Sequence, residues 1–202
     1  MRGKMREPSA DKVTAILETA AELFASRGYE ATSMRDIAQG AGVSKSLLYH
    51  HFTDKYQIFT RITSQSGLGL NEAVARALPK DATASEQLEV FMRTTATFFE
   101  ENRLSWISAS QEFWTSNEAQ MSLQMKLRRD SFEHMLRRIL EDGVKRGEFQ
   151  VSDVRLAGRM ILSSLNWMYR WYNPAGSRDA AEIAGEYYRM IAFGITPRGE
   201  AD

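Results

Sequence analysis

The chain has 202 residues, 43% of them hydrophobic and 26% charged, a composition typical of a globular protein that is long enough to build a sizeable core. Its 26 basic and 26 acidic residues cancel, which argues against a protein that coats nucleic acid with its whole surface. The absence of cysteine excludes disulfides, thiolate metal sites and a cysteine nucleophile.

The amino terminus is basic and lacks an apolar segment. Arg2, Lys4 and Arg6 precede the first predicted helix, as in arms that follow phosphates or enter a minor groove; the alternative is an ordinary unstructured terminus. No signal-peptide core is present, and no segment approaches the ~20 apolar residues of a membrane span. We therefore expect a cytoplasmic protein.

Helical periodicity runs through the whole chain, and no segment alternates convincingly with period two. The first helix is predicted at residues 10–28, with Ile16, Ala20 and Phe24 on one side and Gly28 placed as a left-handed cap. After two short helices, longer ones are predicted at 54–78, 84–101, 103–116, 118–146, 153–172 and 178–195. The predicted fold class is all-α, with a three-helix domain at 1–53 and a larger helical domain at 54–202.

Residues 32–55 read as two short helices joined by a tight turn. Thr32 or Ser33 is placed to cap the first of them, and Gly42 breaks it. Val43 fills the turn, and Ser44 is placed to cap the second helix. This arrangement predicts a helix-turn-helix.

The second helix of this motif divides its side chains between two faces. Leu48 and Phe52, four residues apart, turn inward. Four polar, basic or aromatic side chains are left facing solvent: Lys45, Ser46, Tyr49 and His50. A recognition helix for DNA needs this division.

The motif carries a resemblance to a known family. Residues 25–38 read Ala-Ser-Arg-Gly-Tyr-Glu-Ala-Thr-Ser-Met-Arg-Asp-Ile-Ala, and residues 41–55 read Ala-Gly-Val-Ser-Lys-Ser-Leu-Leu-Tyr-His-His-Phe-Thr-Asp-Lys. Together they resemble the TetR family of one-component transcriptional regulators, with strong similarity over roughly residues 10–60. The resemblance implies a homodimer that binds an operator palindrome on double-stranded DNA and is released by a small ligand.

The resemblance also implies roles for individual residues of the motif. The positions that match the family's groove-facing residues are Lys45, Ser46, Leu47, Tyr49 and His50. The positions that match residues near phosphates are Thr32, Ser33, Arg35, Tyr49, His51 and Lys55. Phosphate contacts set the register of the protein on DNA, and base contacts set the sequence.

Each assignment has a simpler alternative. The Tyr49 ring would otherwise pack in the small core, His50 and His51 would be merely solvated, and Arg35 would pair with an acid. A metal site is not expected, because adjacent histidines on a helix point roughly 100° apart and only His134 remains.

The second domain is expected to dimerise through the last two helices. Small residues there allow close helix approach, although they can equally pack within one subunit. Two-fold symmetry would place two recognition helices about one DNA turn, ~34–36 Å, apart. The small residues are Ala157, Gly158, Ser163, Ser164, Ala180, Ala181, Ala184 and Gly185.

A small hydrophobic ligand is expected in the same domain. Trp106, Phe113 and Met125 are among the aromatic and soft residues of the central helices, although such residues more often form core. Residues 165–176, Leu-Asn-Trp-Met-Tyr-Arg-Trp-Tyr-Asn-Pro-Ala-Gly, are similar to a segment of a TetR branch that senses acyl-CoA thioesters.

The resemblance implies roles for three residues of this segment. Arg170 would pair with a CoA phosphate, and Trp167 or Trp171 would stack on adenine. The alternative is that these aromatics form the dimer seam.

Two alternatives come from other classes of function. An enzyme is not expected, because no Gly-x-Gly-x-x-Gly, Walker, Gly-x-Ser-x-Gly or His-Glu-x-x-His motif occurs, and no cofactor is implied. The remaining alternative is a helical acyl-CoA-binding or enzyme-like protein without specific DNA binding. The prediction is a ligand-responsive repressor, with an activator as a variant that uses the same features.

Overall fold

A computed structural model describes residues 8–115 and 123–194 of the chain. All regular structure in these two ranges is helical, which confirms the predicted fold class. A short 3₁₀ helix, Met168–Arg170, follows the eighth α-helix. The α-helices are α1 (Pro8–Arg27), α2 (Met34–Gly40), α3 (Lys45–His51), α4 (Lys55–Ala77), α5 (Ala84–Glu101), α6 (Arg103–Thr115), α7 (Leu123–Lys145), α8 (Val154–Trp167) and α9 (Ala180–Phe193).

Most predicted helices end within two residues of the observed ones. The helix expected over 153–172 is shorter, because α8 stops at Trp167 and the chain tightens into the 3₁₀ turn. The helix expected from residue 178 begins at Ala180, since Asp179 is its N-cap and forms a capping box with Glu182. The start of the helix expected over 118–146 lies outside the described residues.

The chain forms two compact units, and their limit within α4 falls between Gly67 and Leu68. The first unit contains α1, α2, α3, the first part of α4, and α6. Its core joins the inner faces of the first four helices, and Tyr29 and Val43 pack at the edge. The fully or nearly fully buried residues are Ile16, Ala20, Ala21, Phe24, Ile37, Ala38, Leu48, Phe52, Ile58, Phe59 and Ile62.

The second unit contains the rest of α4 together with α5, α7, α8 and α9. Within it, α5 packs along α9, and α7 packs against both α5 and α8. Its buried apolar residues include Leu88, Phe91, Met92, Phe99, Leu136, Leu140, Ile161, Leu165, Met168 and Ala184. The predicted domain division at residues 53 and 54 stays a prediction.

Left-handed glycines end the first two helices. Gly28 follows α1 with φ 88°, and Gly42 follows α2 with φ 64°, a conformation that strains other residues. Both glycines were predicted at these breaks. Among the helices described, none is long and apolar enough to cross a membrane.

Candidate nucleic-acid interface

The start of α2 is fixed by a reciprocal pair of hydrogen bonds. The Asp36 backbone N–H donates to the Ser33 Oγ at 3.2 Å, and the Ser33 backbone N–H donates to Asp36 Oδ2 at 2.9 Å. Hydrogen bonds from the Ser33 side chain and backbone hold the pKa of the Asp36 carboxyl below its usual value. Of the two caps that the sequence allowed, Thr32 and Ser33, Ser33 is the N-cap, with Asp36 completing a capping box.

The turn between α2 and α3 is closed by backbone hydrogen bonds. The Val43 N–H donates to the Ala38 carbonyl at 3.0 Å, directly after the left-handed Gly42. Ser44 then caps α3, and its Oγ accepts from the Leu47 N–H at 3.2 Å. The predicted cap and break of the motif are confirmed.

The two faces of α3 have opposite characters. Leu48 and Phe52 are buried in the core of the first unit. Tyr49 is exposed over 53% of its surface, so its ring is not a core side chain. Lys45, Ser46 and His50 are exposed as well, and Leu47 and His51 are half-buried. Among the residues the structure describes, no group of three potential metal ligands forms a site.

Besides Ser33, three residues expected near phosphates lie elsewhere than on α3. Arg35 is exposed on α2. Thr32 is buried, and its hydroxyl donates to the Gly28 carbonyl at 2.9 Å. Lys55 is half-buried at the start of α4, with its Nζ 2.6 Å from the Tyr29 carbonyl oxygen. Both Thr32 and Lys55 therefore have partners inside the first unit.

The expected ligand segment contributes to two groups of aromatic side chains in the second unit, which we together call the Arg170 cluster. One group is Trp167, Tyr169 and Arg170, and the other is Trp171 with Tyr187 of α9. Trp167, Arg170 and Trp171 are exposed. The Arg170 guanidinium carbon lies 5.8 Å from the Trp167 ring centroid and 5.9 Å from that of Tyr169. The Trp171 and Tyr187 rings meet edge to face at 6.5 Å. An exposed guanidinium among aromatic rings suits a ligand that combines an anion with a flat ring.

Two family models match most of the chain. Residues 16–62 match the family described as "Bacterial regulatory proteins, tetR family", and residues 81–195 match "Tetracyclin repressor-like, C-terminal domain". The chain belongs to the TetR family. Its helix-turn-helix is therefore the DNA-binding element of a transcriptional regulator, and the protein is not an enzyme.

Individual TetR relatives agree with this family over nearly their whole length. The HTH-type transcriptional repressor KstR2 of Rhodococcus jostii (strain RHA1) is 31% identical over 90% of both chains. The structure of the TetR regulator PfmR from Thermus thermophilus is 42% identical, with a TM-score of 0.82 over 90% of this chain and 99% of that one. AibR in complex with isovaleryl coenzyme A and operator DNA is 26% identical, with a TM-score of 0.78 over 89% and 97%.

The remaining residues expected to line a ligand site in this TetR protein are dispersed. Trp106 lies on α6, in the first unit. The side chains of Phe113 and Met125 lie outside the described part of the structure. On α5, Phe91 is fully buried and stacks on Phe132, with 4.9 Å between ring centroids. Phe91, another aromatic residue of the central helices, is therefore part of the core.

The small residues of α9 pack against α5 within the TetR subunit, whereas Ser163 of α8 is exposed. Arg93 of α5 crosses α9 at Gly185, where an added Cβ would lie 2.2 Å from its guanidinium. The same guanidinium donates to the Ala181 carbonyl at 3.0 Å. Ala180 and Ala184 are also buried. These residues serve the α5–α9 contact within one chain.

The exposed face of α8 carries large apolar side chains, which were not predicted as a surface feature. Leu156 and Met160 are exposed over 64% and 52% of their surfaces. Their spacing of four residues places them along one side of the helix. We call this row the α8 stripe; the helical spacing in the sequence was the signal for it.

Proposed function

We propose that this TetR regulator is a dimeric repressor that leaves a palindromic operator when it binds an acyl-CoA thioester. DNA binding is supported by the two different faces of α3. Leu48 and Phe52 anchor the helix in the core, while Tyr49 and Lys45 project outward. A short, capped helix held in this way is suited to enter the major groove.

Base recognition is assigned to the exposed side of α3. Lys45 donates to the O6 or N7 of guanine, Ser46 pairs with several bases, and Leu47 touches a thymine methyl group. Tyr49 and His50 lie on the same exposed side and face the bases with them. These contacts, made twice in a dimer, supply sequence discrimination.

Phosphate contacts are assigned to residues around the groove-facing set. Arg35 and Tyr49 are exposed, and Ser33 lies at the start of α2, where backbone N–H groups favour an anion. His51 belongs to this set as well. We leave Thr32 out because its hydroxyl is used by the Gly28 carbonyl.

The α8 stripe is the proposed dimer contact. Gly158, Ile161 and Leu165 bury one side of α8, so the exposed stripe makes this helix apolar on two sides. A helix of that kind is normally covered on both sides, and a second copy placed by two-fold symmetry would cover it. On α9, Met190 and Phe193 are exposed and extend the apolar surface of this unit.

The proposed effector site is the Arg170 cluster. The Arg170 guanidinium pairs with a CoA phosphate, and Trp167 or Trp171 stacks on the adenine ring. AibR, a structural relative, binds isovaleryl coenzyme A, which supports this ligand class. The polar depression lined by Arg93, Arg178, Glu182, Glu186 and Arg189 is a poor alternative, because its arginines pair with carboxylates.

Release from DNA follows from a difference in affinity. An effector that prefers the dimer with widely spaced recognition helices weakens operator binding by the ratio of its affinities for the two states. A ligand with equal affinity for both states would change nothing.

Titration of a protein–operator complex with acyl-CoA thioesters tests the effector proposal. Arg170→Ala should shift release to about tenfold higher thioester concentration, because the variant cannot pair with a CoA phosphate, while operator affinity without ligand stays unchanged. Arg138→Ala, at another exposed arginine, is the control and should behave as wild type. An unchanged titration for Arg170→Ala would remove this cluster from the effector site.

A further inference from the structure

Lys55 begins α4, directly after the helix-turn-helix, but its side chain reaches back towards the segment before α2. Its Nζ donates to the Tyr29 carbonyl at 2.6 Å and lies 3.4 Å from the Glu30 carbonyl oxygen. The Glu30 carboxylate is 4.0 Å from the same nitrogen. The side chain retains only 21% of its exposure. The ammonium is therefore directed into the protein.

The Lys55 ammonium lies over the face of the Tyr29 ring. The Lys55 Nζ lies 4.1 Å from the ring centroid, within the range of a cation–π interaction. The ring also packs against Phe24 of α1, with 5.3 Å between centroids, and Phe59 of α4, with 5.2 Å. One lysine thus joins a carbonyl and a ring that are both anchored on the core.

The contact links two distant points of the region formed by α1, α2 and α3. Tyr29 and Glu30 lie between the end of α1 and the cap of α2, whereas Lys55 follows α3. Their sequence separation is 25 or 26 residues, so the bond ties the entry of the motif to its exit. The orientation of α2 and α3 depends on both ends being held.

We propose that Lys55 is a positioning residue that fixes the recognition helix for operator binding, rather than a phosphate contact; this inference rests on the proposed function. An ammonium has three N–H donors, and two face the Tyr29 and Glu30 carbonyls while the charge lies over a ring. Arg35, by contrast, is exposed on α2.

Salt dependence separates the two roles. Removing one phosphate contact reduces the slope of log affinity against log salt by about 0.9, whereas a positioning defect leaves the slope unchanged. Lys55→Met keeps the length of the stem and removes the ammonium. We expect about tenfold or greater loss of operator affinity at an unchanged slope, and Arg35→Met, the reference for a phosphate contact, should lower the slope.

Lys55→Gln provides a second, uncharged variant that keeps one amide donor for a carbonyl. Positioning predicts an operator affinity between those of wild type and Lys55→Met, and Lys55→Arg should recover still more. A phosphate role predicts that Gln and Met lower the salt slope equally, since both remove the charge, whereas positioning leaves the slope unchanged in both. If the Met variant fails to fold, the Gln variant still tests the inference, because its amide can donate to a backbone carbonyl.

Amide hydrogen exchange of the DNA-free protein gives a readout that does not depend on an operator. Lys55→Met should speed exchange in residues 28–33, where the Thr32 N–H donates to the Tyr29 carbonyl, and leave α5 unchanged. A slope reduced as much as in Arg35→Met, or an operator affinity equal to wild type, would overturn the inference. Failure of the wild type to prefer any operator would instead count against the proposed function.

Discussion

The Tyr172 hydroxyl, just beyond α8, donates a hydrogen bond to the Glu100 carboxylate of α5. The other oxygen of this carboxylate is 3.4 Å from the Ala180 backbone nitrogen, at the first residue of α9. The Tyr172 ring is buried and meets Phe99 edge to face at 5.5 Å. One acidic side chain therefore holds the segment between α8 and α9, which follows the Arg170 cluster.

Removing this hydroxyl should change stability at alkaline pH. Burial and the hydrogen bond to Glu100 raise the pKa of Tyr172 from 10.0 to about 12. Because the folded pKa is the higher one, this group's stability contribution is complete below pH 10.0 and declines as pH rises towards 12. Tyr172→Phe should lower the free energy of unfolding by about 1.5–3 kcal/mol near neutral pH and remove that decline.

Denaturant unfolding at several pH values measures this effect, and ultraviolet titration of the tyrosines checks the assignment. The Tyr172 phenol should ionise at about pH 12 in the wild type, and Tyr172→Phe should lack this transition. A variant with the same alkaline loss of stability as the wild type would show that Tyr172 is not its source.

Two glycines inside helices should respond in opposite ways to alanine. At Gly143 an added Cβ would lie 2.1 Å from the Phe149 ring, so the ring must move, at a cost of about 1–3 kcal/mol. At Gly158 the nearest atoms are Leu140 and Leu136 methyls at 3.9 and 4.0 Å. Gly158→Ala should stabilise by about 0.5–1 kcal/mol through helix propensity. Thermal unfolding of both variants provides the test. Equal shifts of their melting temperatures would contradict the difference in packing around the two glycines.

Truncation of Tyr49 should strongly weaken specific operator binding and leave the fold intact. The ring is exposed and contributes little to the core, so the helix content and the dimer should be those of the wild type. Tyr49→Phe keeps the ring without the hydroxyl and separates stacking from hydrogen bonding. Gel-shift titration measures the loss, expected at about 1–3 kcal/mol per half-site. Unchanged affinity of Tyr49→Ala would remove it from the interface.

Charge introduced into the α8 stripe should separate the proposed dimer. Leu156→Glu and Met160→Glu each place a carboxylate on the apolar surface. Association would bury these carboxylates without a positively charged partner, which is unfavourable. Leu127→Glu, at an exposed leucine of α7, is the matched control and should stay dimeric. Sedimentation velocity gives the masses, and operator affinity should fall with dimerisation. A dimer that survives both stripe substitutions would place the contact elsewhere.

The local parts of this fold were predictable because local chemistry determines them. Ser33, Gly42 and Ser44 act on backbone groups within four residues, so their roles can be inferred from spacing alone. Helical periodicity likewise predicts the inward-facing positions of Leu48 and Phe52, and both are buried in the core of the first unit.

What the sequence did not predict depends on partners distant in the chain. Glu100 and Tyr172 are separated by 72 residues, and nothing in either segment marks the other as its partner. Arg93 covers Gly185 from a different helix, so the small residues of α9 suggested a seam between subunits although they face α5. Lys55 was assigned to phosphate by resemblance, since its reach back to Tyr29 is visible only in three dimensions.

Operator recognition is tested by selecting genomic duplex fragments with the purified protein and then measuring binding to the best fragment against bulk competitor DNA. A dimer with two recognition helices should select a palindrome with half-sites about one helical turn apart, bound at least about a thousandfold more tightly than bulk DNA. Tyr49→Ala should lose most of this preference. A wild-type protein that retains no fragment over competitor, even at low ionic strength, would show that the protein does not recognise an operator.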